Sequence, residues 1–147
     1  MTDTSSRRSL LRTLALAQPA ELAAALDRIA PDPPHTVVRG PDTGLVMVRG
    51  RVGGGGAPFN AGEATVSRCV VRLATGEVGF GHVMGRDAAR ARHVALIDAL
   101  SQTATHRGAV TAVAAELDAL RAARETARAR DVAGTRVDFF TMTRGED

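Results

Sequence analysis

At 147 residues, 44% of them hydrophobic, the chain has the size and apolar content of one globular domain with a real core, which excludes global disorder. The formal net charge is +3, yet every one of the 19 basic residues is arginine and 16 acidic residues oppose them, a balance that reads as genome composition and argues against a nucleic-acid binder. One cysteine, Cys69, rules out an internal disulfide and a thiolate metal cluster, and no stretch has the apolar length of a membrane span, so a cytoplasmic protein without a bound metal is expected.

Taken in order, Ser5 or Ser6 can cap a first helix in which Leu10, Leu11 and Leu14 share a face. Arg7 and Arg8 before the apolar run imitate a signal peptide, but Arg12 interrupts the run and helical pattern continues beyond it. A second helix opens at Pro19, with Glu21 in its first turn and Leu22, Ala25, Leu26 and Ile29 as its buried stripe. The prolines of residues 31–34 end this N-terminal helical hairpin, which spans 5–30.

From His35 the period changes to two, and strands are expected through residue 84. Residues 35–39 and 45–52 read as two strands separated by a GPDTG turn. After four glycines, Gly53 to Gly56, residues 64–73 alternate again. Here Ser67, Cys69, Val71 and Leu73 oppose Val66, Arg68, Val70 and Arg72. A turn at Thr75 and Gly76 leads to VGFGHVM, in which Val78, Phe80, His82 and Met84 share a face. Helical pattern returns over 87–130. Asp87 is the expected cap of a first helix whose stripe is Ala89, His93, Leu96, Ile97 and Leu100. A long last helix follows from about Ala109, with Val110, Val113, Leu117 and Leu120 repeating and an Arg121–Glu125 pair on its surface. The expected fold is α+β: an antiparallel sheet of about four strands with helices on one face, in one domain over 1–147 that ends in an extended tail, 134–147.

The chemistry-bearing patterns are sparse. A Walker loop needs a lysine and a Ser/Thr opening a helix, and a dinucleotide fingerprint needs a following helix; the glycine run has neither. It is either a mobile hairpin loop or one ordered by a partner through its backbone N–H groups. Arg49, Arg51, Arg68 and Arg72 stand at alternate positions of neighbouring strands. They form either a solvated sheet face or, in the right register, a guanidinium surface for phosphate. The four histidines lack metal-ligand spacing; His93 reads as a core histidine, and His82 is the one to test as a base. Cys69 reads as a small core residue, and no serine lies in a nucleophile elbow. In the tail, Arg136 and Asp138 flank a pair of rings, Phe139 and Phe140, which either fold back on the core or anchor a partner.

QPAEL at 18–22, TGLV at 43–46, the glycine loop with FNAGEATVSRCVVRL, GRD at 85–87, ALIDAL at 95–100 and RVDFFTMTRG at 136–145 together resemble the PhnG family, a small subunit of the bacterial carbon–phosphorus lyase core complex. The resemblance covers nearly the whole chain, and it is the joint order and spacing of the motifs that is specific. It implies assembly with PhnH-, PhnI- and PhnJ-like subunits and action with a PhnL-like protein in phosphonate catabolism. There a phosphonate displaces adenine from MgATP, giving a ribose 1-alkylphosphonate 5-triphosphate. It implies no catalytic residue and no cofactor of this chain's own, since the complex uses MgATP through another subunit. The expected role is therefore a non-catalytic subunit whose interface draws on Gly53, Gly54, Gly55, Gly56, Phe59, Arg136, Asp138, Phe139 and Phe140. The alternatives are a component lending Arg49, Arg51, Arg68 and Arg72 to a shared triphosphate site, or a basic nucleic-acid-binding domain.

Overall fold

The computed structural model describes residues 4–134, and over that range the expected order of helices, strands and helices holds. Helix α1 (Thr4–Leu16) already includes Ser6 in its first turn, so the cap expected at Ser5 or Ser6 is not where the helix starts. Helix α2 (Pro19–Ile29) begins as read, with Pro19 in first position and the Gln18 N–H donating to Glu21 Oε2 at 3.1 Å. Its buried residues are the expected Leu22, Ala25, Leu26 and Ile29.

The sheet has three strands rather than about four, in the order β1-β2-β3, all antiparallel. The segments read as two strands are one, β1 (His35–Arg51), and GPDTG is no turn. Both flanks pair with the same partner, β2 (Pro58–Leu73), so the chain cannot reverse between them. Register slips between Val37 and Arg39 and between Arg39 and Asp42 absorb the extra residues, and the Gly40–Pro41 bond there is cis. Pro41 is tolerated because β1 is an edge strand, where a missing N–H breaks no ladder on the open side. Strand β3 (Val78–Met84) pairs with β2 only over Val66–Arg72.

Helix α3 (Ala88–Ser101) touches all three strands and the other three helices, and is buried from Val94 to Ser101. Asp87 caps it as read, accepting from the Arg90 N–H at 2.9 Å. Its expected stripe needs correcting, because Ala89 is exposed and His93 only half-buried. The side against the sheet is made of alanines, Ala91, Ala95 and Ala99, facing Gly79 and Gly81 of β3. A Cβ on Gly79 would lie 1.9 Å from the Ala95 carbonyl oxygen, and one on Gly81 would lie 1.7 Å from that of Ala91. Large apolar residues were the visible signal in the sequence, and here small ones set the contact. The face shared by Phe80, His82 and Met84 is accordingly the outer, exposed one.

Ser67 joins the layers at the start of α3. Fully buried, it donates to Gly85 O at 2.8 Å and accepts from the Asp87 N–H at 2.9 Å. Helix α4 (Arg107–Gly134) closes the bundle with Val110, Val113 and Leu117. Leu120, the expected fourth member of that stripe, is exposed at the rim of the seam between α4 and α2, although Arg124 one turn further on still ion-pairs with Glu21 of α2. The Arg121–Glu125 pair forms, at 2.9 Å.

Candidate functional site: an open sheet face and a projecting hairpin

Among the described residues all four helices lie on one side and leave the outer face of the sheet uncovered near its base. In an antiparallel ladder, directly paired residues point to the same face. The register therefore lays out three rows on that face: Thr36–Arg72–Val78, Arg39–Val70–Phe80 and Asp42–Arg68–His82. Arg39, Arg72, Phe80 and His82 are exposed. Arg68 is tied across the strands to Asp42, Nη2 to Oδ2 at 2.7 Å, while Arg68 Nε and Asp42 Oδ1 are buried and lack a hydrogen bond. On the opposite face Cys69 is buried, and desolvation pushes its thiol up from the ordinary value against a weaker downward pull from Arg92.

The register does not bring the four expected arginines to one patch. Arg49 pairs with Asn60 and Arg51 with Pro58, whereas Arg68 and Arg72 stand opposite Asp42 and Thr36. The eight residues from Asn60 to Arg68 put about 26 Å of strand between the two pairs, at about 3.3 Å each. Arg39 and His82, not Arg49 and Arg51, are the neighbours of Arg68 and Arg72.

Arg49 and Arg51 lie instead on an arm. Beyond the row Gly44–Val66–Met84 the third strand ends, and β1 and β2 continue as a two-stranded ribbon. Residues 45–63 contain no buried side chain. Leu45 is 61% exposed, Met47 52%, Phe59 47% and Val52 72%. The Phe59 ring covers Gly50, whose added Cβ would sit 3.4 Å from Cε1. The tip is a single 3-10 turn, Val52–Gly54, in which Gly53 and Gly54 have φ of 59° and 80° and open space around them. That backbone suits glycine, and a Cβ on Gly56 would lie 2.7 Å from the Val52 carbonyl oxygen, so geometry alone explains three of the four tip glycines. Arg51 donates to Gly56 O at 3.0 Å, bracing the turn.

Residues 5–145 match the family model of phosphonate metabolism protein PhnG. The chain belongs to the PhnG family. A relative from Rhizobium meliloti strain 1021 is 56% identical over 141 residues, covering 96% of this chain and 90% of the relative. It is named alpha-D-ribose 1-methylphosphonate 5-triphosphate synthase subunit PhnG.

In this PhnG-family chain the tail residues Arg136, Asp138, Phe139 and Phe140 lie outside the described residues. Among the described residues no group of three His, Cys, Asp or Glu could hold a metal ion, and no helix is long and apolar enough to cross a membrane. A cleft of about 410 Å³ opens between α1 and α4, but its polar groups largely satisfy one another. Thr13 donates to Asp118, and Arg7 clasps the fully buried Asp98 at 2.9 and 2.7 Å. Asp98 also accepts from the Phe80 N–H at 2.8 Å, and the Arg7 guanidinium lies 5.6 Å from the Phe80 ring centre. This clasp escaped the sequence reading. Its signal was the lone acid inside the apolar ALIDAL, which must find a cation if buried.

Proposed function

We propose that this chain is a subunit of an α-D-ribose 1-methylphosphonate 5-triphosphate synthase and acts through assembly rather than by supplying the reacting groups. The observation that carries the reading is kinship over nearly the full length to a relative named as such a subunit. An uncovered arm with large apolar side chains supports it, since contiguous exposed apolar surface marks protein contact. The partners are PhnH-, PhnI- and PhnJ-like subunits and a PhnL-like protein, the compartment is the cytoplasm, and MgATP is held by a partner. Adenine release from MgATP with methylphosphonate is the test. The complete set of subunits releases adenine, omission of this chain abolishes release, and this chain alone gives none. Robust release by the chain alone would overturn the reading.

A second reading is favoured by the open face on which Arg39, Arg68 and Arg72 neighbour one another. There the chain lends cations to a triphosphate site completed by a partner. Arg68→Ala combined with Arg72→Ala then raises the KM of the complex for ATP while the subunits still co-purify. Loss of co-purification would make these arginines structural instead.

A further inference from the structure

We propose that the β1–β2 arm is a docking element that inserts into a cleft of a different subunit, a cleft with apolar walls and an acidic mouth. The inference rests on the reading of this chain as a complex subunit and adds where and how it engages.

Three properties of the arm point this way. The first is length without support. Residues 58–65 of β2 pair only with β1, so the ribbon reaches about 26 Å past the three-stranded sheet, with no buried residue between 45 and 63. A lone two-stranded ribbon is marginally stable in water. Burial against another surface supplies what it lacks.

The second is that apolar side chains stand on both faces. Leu45 and Met47 alternate with Val46 and Val48 along β1, so they point to opposite sides. Leu45, Met47 and Val48 are each exposed. A flat partner surface would cover one set and leave the other in water, whereas a cleft covers both.

The third is charge, which selects the occupant. Arg49 and Arg51 stand near the tip, and among the described residues neither has an acidic partner; Arg51 reaches only Gly56 O. Pairing the tips of two copies would bring four guanidinium groups together, so a second copy of this chain fits poorly. Carboxylates at the mouth of another subunit's cleft meet both cations and steer the approach.

The test co-expresses the full chain with the other synthase subunits and measures co-purification, alongside light scattering and circular dichroism of the chain alone. Leu45→Asp with Met47→Asp is expected to weaken association at least 100-fold while the helical signal of the free chain is unchanged. Arg49→Glu with Arg51→Glu is expected to weaken it about tenfold and to flatten its dependence on salt. If the wild-type chain joins the complex and the Leu45→Asp, Met47→Asp variant joins equally well, the arm proposal is overturned and the subunit reading stands. If the wild-type chain joins none of the subunits, both are overturned. A free-chain mass of twice the monomer, abolished by the same variant, would give the arm to a second copy. Hydrogen exchange on the wild-type complex needs no variant: amides of residues 45–63 become protected on assembly, and unchanged exchange there overturns the proposal.

Discussion

At the scale of single residues, the contact of α3 with the sheet is decided by side chains that are missing. Gly81→Ala would place a methyl group 1.7 Å from the Ala91 carbonyl oxygen, where only the backbone can yield. Overpacking of this kind costs about 1–3 kcal/mol or more, and at about 2–4 °C per kcal/mol the melting temperature falls by several degrees. Gly108→Ala is the control. A Cβ there meets nothing within 4 Å, so the change is neutral or stabilising by up to about 1 kcal/mol. Arg7→Ala tests the clasp: it leaves the Asp98 carboxylate buried with the Phe80 N–H as its main remaining support, a loss of about 3–5 kcal/mol in a melting experiment. Cys69 stays silent toward a thiol reagent until the protein unfolds, because it is buried and its thiol is held above the ordinary value. Its stabilising contribution is whole below the unfolded value of about 8.5 and is lost as pH rises through the higher folded value, so chemical denaturation midpoints decline in mild alkali.

At the scale of elements, periodicity carried most of what could be read. The stripe of α2, the cap of α3 and the alternation of β2 were legible because each follows from a local rule that tertiary packing did not override. Three things were not. GPDTG has the composition of a turn, yet both of its flanks found one partner strand, and pairing with a strand further along the chain leaves no local mark. The alternation of β3 put Phe80, His82 and Met84 on one face, but it could not say that the glycine and valine face, Gly79, Gly81 and Val83, is the one turned to α3. The arginines were correctly placed on strands, but the register that separates Arg49 and Arg51 from Arg68 and Arg72 is a long-range fact. The arm and base are also expected to differ in local stability. Amides of residues 45–63 in the free chain exchange orders of magnitude faster than those of Cys69 to Val71, which lie in the middle strand under α3. Equal protection would mean that the arm is held by contacts of this chain's own.

At the scale of the whole molecule, the design divides in two. A helical bundle closed around α3 supplies stability, and a sheet that outgrows the bundle supplies surface. The family was legible because its motifs are spread along nearly all of the chain, and the matched range of 5–145 bears that out. Of the residues expected to meet a partner, the tip glycines and Phe59 lie on the projecting arm, while the exposed Leu45 and Met47 on the same arm fell within a segment, 45–52, read only as a strand.

If the arm docks as proposed, a ribbon that no other described residue buries would also tie the supply of this chain to that of its partners. Arg49 and Arg51 sit in exposed, extended backbone, the form that a trypsin-like protease grips. Copies made beyond the number of partner subunits would be nicked there first, and limited trypsin digestion read by mass spectrometry should show those cuts in the free chain and not in the complex. The arm would then act as a gauge of stoichiometry, with unassembled copies removed and assembled ones spared.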